Sequence, residues 1–443
     1  GSRPLLSRKG YDFSRQAKAG VLRWNLLHAP MSAGPVTLTI DRLGAQGDGV
    51  ATHDGKQVFA PLTLAGEIVT AEIDRDRARV IEITTPSADR VAPRCPHYGE
   101  CGGCSLQHLA DAHYLEFKRE QVITALSFLQ IDTPVDPVIA IAPRSRRRAV
   151  FAAHRVGKAI AIGFHSRRSH RIVPITDCAV VTPGVLALLP KLERIAAICA
   201  PPKDALTVSV TETITGFDVA LNGVAKAFPA DGRIRAIQTA GEIGLARLSI
   251  NGDVAMERAA PTLRAGAAHL TPPPGGFLQA CEASEAAMLA LVKEAIGDSR
   301  KVVDLFAGSG TFSLPLASTA TIHAVEGDEA ALASLDRAAR KAQGLKPVTV
   351  EKRDLFRRPL TRADLKRFDA AIIDPPRAGA EDQTRELAAS TVKRVAMVSC
   401  NAQTFARDLQ IMASAGWRAT RITPIDQFLW SPHIEIVAQL RRG

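Results

Sequence analysis

Short alternating stretches broken by glycine fill residues 36–83, with turn signals at GDG and DG. Roughly five strands fit this window, which reads either as a small barrel of the oligonucleotide-binding type or as a generic small β-domain. Residues 111–129 change period. Tyr114, Phe117, Val122, Ala125 and Leu126 fall along one stripe, which predicts a helix. Residues 144–180 set Arg and His among short apolar runs, and 205–265 read as further strands and turns. TPPPGG at 271–276 is a strong breaker and marks a boundary. Beyond it a helix over roughly 281–296 precedes VVDLF. Apolar strands then alternate with helical segments: TIHAVE, VTVEKRD, DAAIID and RVAMVSC. That alternation predicts a doubly wound parallel sheet. WRATRITPID and HIEIVAQL follow with no helix between them, so an antiparallel pair should close the sheet.

The chain has 443 residues, 46% apolar and 23% charged, ordinary values for a globular protein of two or three domains. The net charge of +11 and a pI near 9.5 favour a polyanionic partner. No apolar run reaches the roughly 18 residues that span a membrane. The first thirty or so residues are basic and lack a secretory core, and read as a flexible tail rather than an RNA-binding arm; Gly1-Ser2 looks like a cloning remnant and Met31 a candidate start. Seven cysteines, an odd number in a long chain, argue against a disulfide framework and for a reducing cytoplasm.

Chemistry gathers at strand ends. In VVDLFAGSGTFSLPLA (302–317), Gly308 and Gly310 permit a tight turn and close approach to a ligand. There is no GK[ST], and Ser313 replaces the third glycine of a dinucleotide motif, so neither nucleotide reading holds. Glu326 ends the next strand, placed for ribose hydroxyls, and Asp354 the third, placed for an adenine edge. A glycine loop without a pyrophosphate cradle suits a cationic nucleoside such as S-adenosylmethionine. Asp374 begins DPPRAG at a further strand end. Cys400 leaves the apolar run 395–398 for a polar segment, an unusual place for a packing thiol. Cys95, Cys101 and Cys104 form a C-x5-C-x2-C cluster, with Cys178 downstream. Four thiolates fit either zinc or a cubane iron–sulfur cluster, and the spacing leaves both open. Cys199 has no visible partner.

VDLFAGSGTFSLPLA, DPPRAG, SCN and PHIEIVAQL, in that order, closely resemble the RNA uracil-5-methyltransferases, which use S-adenosylmethionine to make 5-methyluridine. The resemblance covers nearly everything after residue 35. The N-terminal segment looks like that family's TRAM domain, and CPHYGECGGC like its iron–sulfur motif.

The resemblance implies that Cys400 is the nucleophile and Glu435 the base. Uracil C5 cannot attack a methyl sulfonium unaided; a thiolate added at C6 makes it an enolate carbon, and a base must then remove the C5 proton. Gln279, Phe306, Gly308, Thr311, Glu326, Asp354 and Asp374 are implied around the cofactor and target base. The family pattern FxQxN ends here in Cys281, which puts one local contact in doubt. A [4Fe–4S] cluster on Cys95, Cys101, Cys104 and Cys178 is favoured over zinc, in a structural and RNA-shaping role. Arg146, Arg147 and Arg148, in RSRRR, are implied in phosphate contact; a solvated charge run is the bland alternative.

The expected enzyme is α/β: a class I (Rossmann-like) methyltransferase sheet with an N-terminal TRAM/OB-like barrel and an α+β central domain. Its parts are 1–33 (basic extension), 34–92 (barrel), 93–270 (central, RNA-binding) and 271–443 (catalytic), with the helix near 111–129 able to pack on the catalytic part. The expected substrate is a uridine of 23S ribosomal RNA, with no obligate protein partner. The rivals are a transfer-RNA methyltransferase, a non-catalytic RNA-binding or assembly protein and a redox-sensing iron–sulfur protein.

Overall fold

The computed structural model describes residues 22–23 and 34–442 apart from Lys158. The expected flexible tail therefore lies outside the described residues, except for the two-residue strand β1 (Leu22–Arg23), which pairs with β7.

The first sheet contains β2 (Val36–Thr39), β3 (Arg42–Leu43), β4 (Gly49–His53), β5 (Lys56–Ala60), β6 (Ile68–Asp74) and β7 (Arg77–Thr85), ordered β2-β6-β7-β5-β4-β3. Residues 36–43 run almost unbroken. Their first part pairs with β6 and their last with β4, so one segment joins both ends of the sheet. Ile40 N donates to Glu67 O (2.9 Å) and Asp41 N to Val50 O (2.8 Å), carrying the pairing across the bend. The sheet thus curls onto itself around Leu38, Ile40, Val58, Val69 and Ile83, without leaving a long free edge.

The helix α1 (Asp111–Phe128) follows. The central sheet is built from β8 (Arg148–Val156), β9 (Ala159–His165), β10 (Ile172–Pro174), β11 (Leu206–Thr213), β12 (Gly216–Asn222), β13 (Arg247–Ile250) and β14 (Asp253–Glu257), in the order β10-β9-β8-β11-β12-β13-β14. The helix α2 (Pro183–Cys199) packs against it with Leu188, Leu189, Leu192 and Ile195. Only β12 and β13 run parallel, because the helix α3 (Ala230–Ile243) carries the chain back between them. The expectation of only strands and turns over 205–265 is corrected here. The buried face of α3 is Gly232, Ala236, Thr239 and Ala240, small residues that leave no hydrophobic stripe to read, while its Ile234 faces solvent. Gly244 closes the helix at φ +82°, a left-handed conformation that favours glycine.

The hairpin β15 (Leu263–Ala265) and β16 (Ala268–Leu270) packs with Leu278, Leu314 and Ala338, so this side of the catalytic core begins before the TPPPGG breaker. After α4 (Glu282–Ile296) come β17 (Lys301–Leu305), α5 (Ser313–Leu316), β18 (Thr321–Glu326), α6 (Glu329–Lys341), β19 (Val348–Lys352), α7 (Arg362–Leu365), β20 (Ala370–Ile373), α8 (Glu381–Ala388), β21 (Arg394–Ser399), α9 (Ala402–Ser414), β22 (Trp417–Ile425) and β23 (Glu435–Arg442). The order β19-β18-β17-β20-β21-β23-β22 is parallel through β21; β23 is antiparallel to both neighbours, as the missing helix predicts. Residues 135–139 run along β22, Asp136 N donating to Ile422 O (2.8 Å) and Ile139 N to Pro424 O (2.9 Å), and cover that edge.

Helix α1 bridges two cores. Tyr114 packs into the central one and Val122, Ala125 and Leu126 into the catalytic one with Leu409, Met412 and Ile422. Phe117, expected on the buried stripe, is half-buried, and Lys118 is fully buried instead. The Lys118 ammonium pairs with Asp426 and donates to Phe428 O (2.9 Å), which is what permits its burial.

Candidate active site at the carboxyl edge of the parallel sheet

Topology alone assembles the rim. β17, β18, β20 and β21 are parallel, so Phe306, Glu326, Asp374 and Cys400 all emerge at one edge. β23 runs the other way, so its first residue, Glu435, lies at that same edge. Ser399 pairs with Ile436, which sets Cys400 beside Glu435.

Electrostatics tie this group together. Burial pushes the Glu435 carboxyl up to about 8, with Asp374 adding to the rise and the Gln427 hydrogen bond and Lys118 opposing it. Burial, and then the Asp304 carboxylate, lift Asp374 to about 7. Burial also lifts the Cys400 thiol to about 11; Glu435 and Asp374 reinforce the shift, and Arg377 counters it. Three acids and a thiol feel one another's charge here, Asp304 and Glu435 buried, Asp374 and Cys400 half-buried. An arrangement so unfavourable for charge makes this rim the candidate functional site.

A carboxamide relay lies beneath. Gln427 Nε2 donates to Gln279 Oε1 (2.8 Å) and to Glu435 Oε1 (3.0 Å), and its Oε1 faces Ser284 Oγ at 2.5 Å. All four side chains are at most 5% exposed.

The glycine loop forms the other half. Phe306 adopts φ +65°, and Gly308 and Gly310 are also left-handed. A Cβ on Gly310 would meet Leu335 Cγ at 2.8 Å, whereas one on Gly308 would meet nothing within 4 Å, so the loop is packed behind and open in front. Glu326 accepts from Gly308 N (2.9 Å), Gly327 N (2.7 Å) and Asp328 N (2.8 Å), and is fixed at the loop mouth. Thr311 lies in the same loop, half-buried. Asp354 accepts from Phe356 N (3.0 Å), and the Phe356 ring lies 5.3 Å from that of Phe306. Asp304 Oδ2 accepts from Ser313 Oγ (2.6 Å), but Asp304 Oδ1 and Ser309 Oγ are buried without partners. Orphaned polar atoms beside an open glycine fit a polar ligand such as S-adenosylmethionine.

Away from this rim, Cys95, Cys101, Cys104 and Cys178 line a cavity of about 230 Å³, together with Arg146 and Arg148. Burial pushes Cys101 up to about 11, Cys104 up to about 12 and Cys95 upward; neighbouring thiols add to each shift. Gly103 N donates to Cys101 Sγ and Val180 N to Cys178 Sγ, both at 3.4 Å. Among the described residues, no three His, Cys, Asp or Glu side chains converge as ligands of a single metal ion.

The arginine run is not an open charged face. Arg147 is 9% exposed and pairs with Glu285 at 2.7 Å, while Arg146 lies over the Phe428 ring. Arg148 donates to Gly275 O at 3.3 Å. Cys281 stands at the N-terminal cap position of α4 without a side-chain capping bond, and its Sγ lies 3.2 Å from Ser145 Oγ, so this position docks the arginine segment onto the catalytic half. Cys199 packs within the central core. Sequence reasoning missed Gln427, Ser284, Asp304, Phe356 and Arg377. Only Asp304 carried a signal, as a lone carboxylate inside an apolar strand.

Residues 269–442 match the family described as tRNA (Uracil-5-)-methyltransferase. An uncharacterized RNA methyltransferase of Rhizobium meliloti (strain 1021) is 48% identical, over 93% of this chain and all of that one. The 23S rRNA (uracil(1939)-C(5))-methyltransferase of Halomonas elongata is 32% identical over 98% of this chain and 94% of that one. Among solved structures, the Pyrococcus abyssi tRNA (uracil-54, C5)-methyltransferase in complex with S-adenosyl-L-homocysteine superposes with a TM-score of 0.72 over 91% of this chain and 99% of that one. At 22% identity it speaks to fold alone. With the rim and glycine loop already in place, this similarity along almost the whole chain makes the protein a member of the S-adenosylmethionine-dependent RNA (uracil-5-)methyltransferases.

Proposed function

We propose that the enzyme methylates C5 of a uridine in large-subunit ribosomal RNA, with Cys400 as nucleophile and Glu435 as base. The observation that carries this reading is the placement of Cys400 beside Glu435 at the sheet edge, next to the open glycine loop. Cys400 Sγ bonds to C6 of the flipped-out uracil, and the electron pair moves through C5 toward O4. S-adenosylmethionine supplies the electrophilic methyl group that C5 takes. Glu435 then accepts the C5 proton, C5=C6 reforms, and the C6–S bond breaks to release the thiolate. A carboxyl held near 8 is matched to that task. Asp374 and Arg377 set the charge around the thiol. Gln279, Phe306, Gly308, Thr311, Glu326 and Asp354 hold the cofactor, Glu326 at the ribose hydroxyls.

Cys95, Cys101, Cys104 and Cys178 would hold a [4Fe–4S] cluster. A cubane binds each thiolate at a different iron, so ligands need not converge on one point, and amide donors to sulfur are features of such sites. Bound there, it would cross-link the loop 95–104 to the segment leading into α2. Arg146 and Arg148, on its wall, link that cavity to the RNA path.

The excess of basic residues supports an RNA substrate, and the similarity to the Halomonas 23S enzyme supports ribosomal RNA. Seven unpaired cysteines support a reducing cytoplasm, and no helix among the described residues is long and apolar enough to cross a membrane. The test is methyl transfer from labelled S-adenosylmethionine to unmodified ribosomal and transfer RNA in parallel. Label at a uridine of the large ribosomal RNA is expected. Label confined to transfer RNA overturns the substrate, and no label in either, with cofactor bound, overturns the reaction.

A further inference from the structure

Glu435 needs more than its strand to act as a base, because β23 fixes its Cα and not its carboxyl group. What fixes the carboxyl group is a residue from the preceding loop. In the ionised form that acts as base, Glu435 only accepts hydrogen bonds, so in that form the side of the Gln427 amide facing it is the NH₂. Both amide hydrogens are then committed, one to Glu435 Oε1 (3.0 Å) and one to Gln279 Oε1 (2.8 Å). The amide oxygen is left facing Ser284 Oγ (2.5 Å) on α4. The loop is itself anchored next door. Asp426 is buried against the Lys118 ammonium and accepts from Tyr114 Oη (2.7 Å), and Tyr114 Oη accepts in turn from Trp430 N (2.7 Å). Helix α1 thus clamps both flanks of Gln427, and α4 holds its far end.

We propose that Gln427 is a positioning residue for proton removal, holding Oε1 of Glu435 so that Oε2 is presented to the C5 proton. In that step the C5–H bond breaks and an O–H bond forms at Oε2. The released pair forms C5=C6 and expels the Cys400 thiolate from C6. Cys400 attack and methyl transfer precede the step, and Gln427 reaches them only through its bond to Gln279 on the cofactor side. The proposal rests on the reading of Glu435 as the base.

The test separates steps rather than measuring activity alone. Wild type, Gln427→Leu, Ser284→Ala and Glu435→Gln are each mixed with unmodified large ribosomal RNA and labelled S-adenosylmethionine. Released product is followed alongside the protein–RNA adduct that survives denaturation. For Gln427→Leu, product release should slow about tenfold, the scale of one hydrogen bond to a charged group. The methylated adduct should accumulate above the wild-type level, and Ser284→Ala should show a weaker form of the same pattern. A loss of adduct and product in equal proportion in both variants would mean a merely structural role and overturn the proposal. Wild-type turnover in Gln427→Leu would overturn it too. Failure of the underlying reading looks different: Glu435→Gln would turn over normally.

Discussion

At Cys400 and Glu435 the pH dependence of both chemical roles has the same sign. A thiol held near 11 must lose a proton to attack, and a carboxyl held near 8 must lose one to act as base. Turnover should therefore rise from pH 6.5 to about 8.5, which initial rates on a saturating RNA substrate would check. A falling limb across that range would contradict it. Asp374→Asn removes a negative charge that lifts the thiol, so alkylation of Cys400, followed by peptide mass, should set in at lower pH than in wild type. The same burial has a stability sign. A raised folded pKa gives stability that is full below the unfolded value near 4.3 and lost as pH rises through about 8. Glu435→Gln should then be more stable than wild type above pH 8, by at least about 1 kcal/mol, and the gap should close near pH 5. Thermal melts at both pH values decide it. Cys400 and Glu435 stood out as candidates because SCN and PHIE follow the glycine loop in order, and the structure sets them side by side. Gln427 did not, because a polar residue before PHIE looks like any loop glutamine until the fold sets it against Glu435.

Helices and strands were legible wherever the periodic positions were large. The parallel sheet and its antiparallel close follow from Val, Ile and Leu runs, buried on both faces in the inner strands β17, β20 and β21, while the edge strand β19 stays partly exposed. Helix α3 escaped because its buried face is Gly, Ala and Thr. Helix α1 was found, but its buried lysine was not, since an ammonium is read as solvent-facing unless its partner, here 308 residues away, is known. That pair sets a prediction for the element. Lys118→Met leaves Asp426 buried without its cation and should cost about 3–5 kcal/mol in urea unfolding. Adding Asp426→Asn should recover much of it. Equal losses in single and double variants would mean that packing of α1, rather than the charge pair, holds the loop.

Across the whole molecule, three parts meet around the cysteine loop. Asp48 of the barrel is 2% exposed and held by Arg77, Arg167 and Arg168 at 2.8–3.1 Å, the last two from the loop after β9 that also pairs with Cys101. Ser105 N and Leu106 N donate to Trp430 O, tying the same loop to the catalytic half. None of these links was legible, since each joins charged or backbone groups distant in sequence. They predict what loss of the proposed cluster would do. Cys104→Ser should abolish iron content and visible absorbance and weaken RNA binding about tenfold or more, while S-adenosylmethionine binding survives, because the glycine loop rests on a separate core. Iron analysis with RNA and cofactor titrations reads all three; cofactor binding lost together with iron would show the two halves to be one unit.

The central claim is a bond between Cys400 and C6 of the target base. Ribosomal RNA carrying 5-fluorouridine has no C5 proton to surrender, so an adduct made after methyl transfer cannot resolve. Mixed with enzyme and S-adenosylmethionine, then denatured and digested, it should leave the nucleotide on the peptide containing Cys400, with none in Cys400→Ala. No adduct on any cysteine from RNA that the enzyme binds, or an adduct on a different cysteine, would contradict the account.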